Sequence, residues 1–430
     1  MEQARDQHHV RLWPMIPMAI AAGTLAAILV LGFRWLIESG QQLFLPDGQI
    51  GNYESLSLSA RFAIPIAGGA VLAWIYSRLP IHRRDVGIAY VLSHIQAGGK
   101  VVLPFSQACL QFCAGALAII SGQSVDREGP SIHLGASMGN LLARHFGIST
   151  EDIRLLTVTG VAAGIAAALN TPLTGVIFVV EVLGESLAPR KLLSILTGAV
   201  TAAMLGRMAY GAEPAFAVPQ LNVASAQDFL WIVLLGICIG GLAVIAINGI
   251  ERISRIMSTR SVWLTFMLAG VMTAIFGLFS PHILGISYDT VEALLLGQVS
   301  GNALLGLMCF KLAATIICIG CSVPGGLIGP CLVIGGAAGG LACQLLAGAG
   351  MTSADVTGFY AMTGMCAMLG ATLAAPLTAI TALFELTGDP YLILAGMLAM
   401  IAADSICWSI LGTDSVFQHL ISAKHMRAER

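Results

Sequence analysis

The chain has 430 residues, 57% of them apolar and only 10% charged, with a net charge of −2 and a mean hydropathy of +0.85. A soluble domain carries about 25% charged residues, so this composition describes a polytopic membrane protein, and the near-zero charge argues against a nucleic-acid partner. The 10 cysteines lie almost wholly in apolar segments and read as small buried side chains; Cys318-Ile-Gly-Cys321, the one CxxC, has no second ligand pair nearby, so no metal site is expected.

Residues 1–12 are polar and read as a cytoplasmic segment, with no cleavable signal peptide expected. Trp13 to Phe44 is a long apolar helix carrying Arg34 and Glu38 towards its far end. Residues 45–60 form a loop with acids but no Lys or Arg, and Arg61 to Leu79 is the next membrane helix. Arg78 to Asp85 then gathers Arg78, His82, Arg83 and Arg84 beside the membrane. By the positive-inside rule this loop and both termini face the cytoplasm, and loop 45–60 faces outward. The basic end from Lys424 to Arg430, in a tail at 423–430, agrees.

After Asp85 the apolar runs shorten to Gly87–Ile95, Val101–Ile120, Pro130–His145, Thr150–Leu169, Pro172–Leu183 and Leu192–Tyr210. Several fall short of the ~20 residues that a simple span needs. Broken helices that end inside the protein account for this, provided that their ends line a cavity. A polar connection at 211–227, long helices at Phe229–Ile256 and Val262–Phe279, a loop around 280–302 and a second set of broken segments complete a membrane domain spanning 13–422.

In Ser121–Asn140, Asp126, Arg127 and Glu128 interrupt apolar sequence and Gly129-Pro130 follows at once. Proline is favoured at the first position of a helix, so a helix is expected to begin at Pro130 in mid-membrane, with a carboxylate just ahead of it. A charge at that depth costs about 2.5–3.5 kcal/mol on insertion scales, which makes it a functional candidate. The helix start behind it has free N–H groups and a partial positive charge that favour an anion.

The chain repeats itself. Gly160, Pro172-Leu173-Thr174, Glu181 and Gly184 recur as Gly364, Pro376-Leu377-Thr378, Glu385 and Gly388 at a constant offset of 204. Gly129-Pro130, Gly135 and Gly139 recur as Gly329-Pro330, Gly335 and Gly339 at an offset of 200. Two halves, about 13–210 and 227–422, follow, and their interrupted segments point to a binding site. The residues alone leave parallel and inverted halves both open.

Asp126-Arg127-Glu128-Gly129-Pro130 resembles the G-[KR]-E-G-P signature of the CLC family of chloride channels and proton-coupled chloride exchangers. Gly325-Gly326-Leu327-Ile328-Gly329-Pro330 resembles that family's G-x-F-x-P signature, and Gly160–Val182 is similar to the segment that follows in the family. The resemblance implies an all-α membrane fold of tilted and broken helices in two inverted halves. It also implies a homodimer in the lipid bilayer, of the bacterial plasma membrane, with one pathway per subunit for chloride or a related monovalent anion. No cofactor and no enzymatic activity are expected, nor regulatory CBS domains after the last membrane segment. Glu128 takes the position of the gate. The anion site would draw on Val86, Gly129, Pro130, Ser131, Leu327, Ile328 and Phe417, held mainly by backbone N–H groups at Glu128–Ser131 and Gly326–Gly329.

Departures from the family pattern matter. Val86, in Asp85-Val86-Gly87-Ile88-Ala89, stands where the family has an anion-binding serine, and Phe417 where it has a tyrosine. Ile328 replaces the phenylalanine of G-x-F-x-P, and Asp126 replaces the glycine that opens G-[KR]-E-G-P. In the exchangers a second glutamate passes protons towards the gate; the first of that pair is Glu181 here, and the second falls on Val182, which cannot carry a proton. A chloride channel is therefore favoured, with a chloride–proton antiporter or a fluoride-handling variant as alternatives.

Each candidate has a plainer reading beside the functional one. Glu128 is a gate or a helix-capping acid, and Arg127 has Asp126 or a backbone carbonyl as partner. His133 is a proton relay or, more simply, a core histidine. Glu181 and Glu385 read as interfacial carboxylates at helix ends. Lys311 either raises the potential for anions or snorkels and pairs. A secondary transporter of an organic solute would want a roomier, more polar cavity at Leu327 and Val86. An intramembrane enzyme would need paired catalytic groups, which the sequence does not offer.

Overall fold

The computed structural model describes residues 12–97, 99, 101–186, 188–216, 228–390, 392–412 and 415–428. Among these the chain is helical throughout, with a single isolated β-bridge between Asp126 and Gly326. The first half contains α1 (Leu12–Gln42), α2 (Leu58–Ser77), α3 (Ile88–Gln96), α4 (Phe105–Ile120), α5 (Glu128–His145), α6 (Thr150–Leu169), α7 (Pro172–Glu181) and α8 (Pro189–Tyr210). The second contains α9 (Asp228–Met257), α10 (Val262–Phe279), α11 (Tyr288–Leu295), α12 (Gly301–Gly320), α13 (Ile328–Gly348), α14 (Thr357–Leu373), α15 (Pro376–Thr387), α16 (Leu392–Leu411) and α17 (Val416–Ala428). Among the described residues, ten helices are long and apolar enough to cross a membrane. α3, α7, α11 and α15, at 8 to 12 residues, are too short to do so alone.

The repeat is visible in the packing. α5 crosses α6 where Gly135 meets Gly160; a Cβ on Gly135 would lie 2.2 Å from the Gly160 carbonyl oxygen. α13 crosses α14 in the same way, with a Cβ on Gly335 falling 2.3 Å from the Gly364 oxygen. Glycine is the residue that permits such backbone approach in a membrane interior. Even the helix ends correspond: α6 stops at Asn170 (φ 59°) and α14 at its equivalent Ala374 (φ 51°), both left-handed. Alanine there is disfavoured by about 1–2 kcal/mol, so the ending is imposed by the fold and not by the residue.

The halves are inverted. Glu181, at the end of α7, accepts from the N–H groups of Leu377 (2.8 Å) and Thr378 (2.7 Å) and from the Thr378 hydroxyl (2.7 Å), all in the first turn of α15. Glu385, near the end of α15, accepts in turn from the N–H groups of Leu173 (3.0 Å) and Thr174 (2.7 Å) and from the Thr174 hydroxyl (2.7 Å), in the first turn of α7. Each helix ends where the other begins, so the two equivalent helices are antiparallel. Orphan N–H groups at both helix starts are satisfied by a carboxylate from the other half, and each negative charge sits at a positive helix end.

Two sequence expectations need correction. The supposed loop around 280–302 contains α11, whose first residue is Tyr288. And α5 and α13 begin at Glu128 and Ile328, two residues before the prolines. The reason lies in Asp126, whose carboxylate caps both helices earlier than a proline would.

Candidate functional site

Asp126 and Gly326 are equivalent residues, offset by 200, and face each other across the two halves. The Asp126 N–H donates to the Gly326 oxygen and the Gly326 N–H to the Asp126 oxygen, each at 3.1 Å. Gly326 leaves room for one side chain only: a Cβ there would sit 2.1 Å from Asp126 Oδ1. That oxygen accepts from the N–H groups of Glu128 (3.0 Å) and Gly129 (3.2 Å), while Oδ2 accepts from Gly329 N–H (2.6 Å). One fully buried carboxylate thus joins the starts of α5 and α13.

The next acid along, Glu128, is also fully buried. Its Oε1 accepts from the Tyr288 hydroxyl and lies 3.6 Å from Arg127 Nε, and its Oε2 has no hydrogen-bond partner among the described residues. Arg127 pairs not with Asp126 but with Glu128 and Glu38, the latter at 3.7 Å, and its guanidinium stands 5.1 Å from the Tyr288 ring centre. Glu38 is held by Arg34 at 2.5 Å, and Arg34 lies 3.5 Å over the Tyr210 ring. Arg34, Glu38 and Arg127 of this chain line a cavity of about 380 Å³, together with Gly51 from loop 45–60 and Tyr288, and Glu128 lies behind that wall, bonded to Tyr288.

A second, smaller cavity of about 60 Å³ lies against the start of α13. Val86, Leu327 and Phe417, expected at the anion site, meet there, from the segment before α3, the loop before α13 and the start of α17. Its wall also includes Gly87, Gly326, Gln111 and Ser322. Ile328 is buried beside it but is not part of the wall. Gly129, Pro130 and Ser131 are buried within the first turn of α5 and are not part of the wall, although Gly129 packs against Gly325 and Gly326, which are. The expected backbone donors are largely taken: the N–H groups of Glu128, Gly129 and Gly329 by Asp126, that of Gly326 by the bridge, and that of Ser131 by the Arg127 oxygen at 3.0 Å. Those of Leu327 and Ile328 make no hydrogen bond among the described residues.

Gln111 was not singled out by the sequence, being one of a few polar residues, with Ser106 and Gln107, in the apolar run of α4. It is fully buried, and neither its amide nitrogen nor its oxygen has a partner among the described residues. Its equivalent at offset 200 is Lys311, also fully buried, whose Nζ donates to the oxygens of Ile283 (2.9 Å) and Gly285 (3.0 Å) and to Ser287 Oγ (2.8 Å). Lys311 therefore neither snorkels nor pairs with a carboxylate; it fastens the turn that leads into Tyr288. His133 Nδ1 accepts from Gly87 N–H at 3.1 Å, a core histidine holding the α3 start. Glu181 has both oxygens engaged on α15, and Val182 follows it at the end of α7.

Residues 68–407 match the family model described as "Voltage gated chloride channel". The "Voltage-gated ClC-type chloride channel ClcB" of Escherichia coli O127:H6 is 29% identical over 420 residues, covering 95% of this chain and 98% of its own. Among solved structures, a slow cyanobacterial Cl-/H+ antiporter superposes with a TM-score of 0.83 at 22% identity, over 97% of this chain and 98% of that one. A CLC-type fluoride/proton antiporter gives 0.74 at 20% identity, over 94% and 96%. Inverted halves, signatures converging on one buried acid and a family match over most of the length agree: this chain belongs to the voltage gated chloride channel family, the CLC proteins.

Proposed function

We propose that the chain conducts chloride, or a related monovalent anion, along a path between the two cavities that is gated by Glu128. The observation that carries this reading is a fully buried carboxylate with one unpartnered oxygen, standing between a polar cavity and an apolar one. A charge so placed repels and competes with any anion that approaches, and moving it opens the way. In the small cavity the anion is held by the N–H group of Leu327 and by the Gln111 amide. Val86 and Phe417 contribute no hydroxyl. A hydrogen bond to a charged group contributes about 1.5–3 kcal/mol, so this site is weaker for chloride than one with serine and tyrosine.

Val182 favours a channel over a coupled exchanger, because a proton crossing a low-dielectric interior needs a titratable group there. The neighbouring Glu181 is committed to capping α15. The specific observation for exchange is the pair of buried acids, Asp126 and Glu128. The basic loop at 78–85 supports cytoplasmic termini, which puts the large cavity, beside loop 45–60, on the outer side. A homodimer is supported by the surface around Glu181 and Glu385, where both acids are half-buried among exposed Leu173, Leu377 and Phe384. Carboxylates facing lipid are costly, and a second copy would cover them.

The test is anion flux in liposomes with chloride, fluoride and nitrate. Glu128→Ala is expected to give a faster, pH-insensitive pathway; a Glu128→Ala protein with wild-type flux and pH response places the gate elsewhere. The reversal potential in a chloride gradient separates the two modes: a channel stays at the chloride Nernst value, and a strong shift with a pH gradient means exchange.

A further inference from the structure

We propose that Asp126 is a second, chain-borne occupant of the anion pathway: its carboxylate fills the place between the two helix starts that a mobile anion would otherwise take. The inference rests on the reading that anions cross between the two cavities. It arises from where the carboxylate sits. Free backbone N–H groups at a helix start are an anion site. Here two such starts, one from each half, point at one spot, and three of their N–H groups, from Glu128, Gly129 and Gly329, converge on Asp126. Gly326 cannot carry even a methyl group without striking Oδ1, so the pocket is built around this side chain.

The position lies on the route. Asp126 is bridged to Gly326, which lines the small cavity, and Glu128 is bonded to Tyr288, which lines the large one. The two acids therefore stand in series between the cavities. They differ in mobility. Glu128 Oε2 has no hydrogen-bond partner among the described residues, whereas both Asp126 oxygens are engaged and its backbone is clamped on both sides. A carboxylate tethered to its own backbone competes as an intramolecular ligand, at an effective concentration that a dilute free anion does not match. Glu128 is thus the movable acid and Asp126 the resident one. Removal of Glu128 alone leaves the second barrier in place.

A cap that merely ties two helices together would give the same hydrogen bonds, so the test reads anion occupancy. The full-length wild type and Asp126→Gly, which restores the family's glycine, are crystallised with bromide, and bromide is located by anomalous scattering. The expected result for wild type is bromide in the small cavity and none against the amide nitrogens of Glu128, Gly129 and Gly329. Asp126→Gly is expected to show an added bromide on those nitrogens. Chloride flux in liposomes should rise about tenfold or more, the equivalent of one charge-assisted hydrogen bond removed from the barrier. Asp126→Asn, which keeps size and one acceptor, should raise flux less than glycine does. If Asp126→Gly does not fold, the wild-type map and Asp126→Asn still decide. Bromide on those nitrogens in wild type, with the carboxylate displaced, overturns the inference. So does Asp126→Gly, or in its absence Asp126→Asn, with bromide in the small cavity and unchanged flux, which makes Asp126 a cap alone. Absence of bromide from both cavities, with no flux through Glu128→Ala, overturns the pathway reading itself and the inference with it.

Discussion

Removing the Tyr288 hydroxyl isolates the force that holds the gate. In wild type, Glu128 has one hydrogen-bond donor, Tyr288, and one cation near by, Arg127 Nε at 3.6 Å, which is too long for a hydrogen bond. Tyr288→Phe keeps the ring under the Arg127 guanidinium and deletes only the donor. A hydrogen bond to a charged group contributes about 1.5–3 kcal/mol, so the seated gate should lose about 10- to 150-fold in population against its displaced states. Chloride efflux from liposomes reads this directly, with Glu128→Ala defining the ceiling set by a missing gate. Efflux from Tyr288→Phe should rise about tenfold or more towards that ceiling. In a Glu128→Ala background the same substitution should change nothing further, since the hydroxyl then has no carboxylate to hold. Unchanged efflux from Tyr288→Phe, in a preparation where Glu128→Ala is faster, would refute the assignment of Tyr288 as the latch.

Three more outcomes follow from the geometry. Gln111→Leu fills a similar volume without a donor, so chloride titrated calorimetrically should bind about tenfold more weakly, while thermal stability holds or rises because an unpartnered buried amide is gone. Glu181→Gln and Glu385→Gln should each lower the melting temperature in detergent by similar amounts, since each leaves an N–H at the opposite helix start without a charged acceptor; loss from only one of them would contradict the reciprocal arrangement. Glu185, in the connection after α7, is raised by burial but brought below its ordinary carboxylate value by Lys191 at 2.8 Å and Arg154 at 3.2 Å. Its contribution is therefore present above the unfolded carboxylate pKa of about 4.3 and lost as pH falls below it, so the melting-temperature advantage of wild type over Glu185→Gln should vanish in acid.

The helices and the repeat were legible because membrane spans announce themselves by unbroken apolarity, and Thr150–Leu169 and Val262–Phe279 match the sequence reading at both ends. The meeting of Val86, Leu327 and Phe417 followed from aligning three separated motifs with the family. What the sequence hid is of another kind. α11 is eight residues long and opens on a polar Tyr-Asp-Thr, too short a run to stand out from its loop, so Tyr288 went unseen. Gln111 is one of two amides in a mostly apolar helix, and nothing local says that its partners are missing while those of Gln107 are not. The double cap by Asp126 reaches Gly329, 203 residues away, and the Glu181 bonds to α15 span 196 and 197. Capping rules are local, so they read Asp126 as a neighbour of Glu128 and Glu181 as a surface acid. Pro130 likewise signalled a helix start and was two residues late, because a cap supplied through the tertiary fold overrode it.

The bridge between Asp126 and Gly326 has a consequence for how far two halves of one chain must diverge. A residue on a two-fold axis meets its own counterpart, and here the space between them admits one side chain. Two identical halves could place only glycine at this spot, since an aspartate on each would bring like charges and overlapping atoms together. A single acid there is available only to a duplicated chain whose copies have become unequal. Symmetry breaking at one residue is thus a stereochemical requirement for any charge at the centre of this molecule. An engineered assembly of two separate, identical half-chains would be obliged to leave that centre empty.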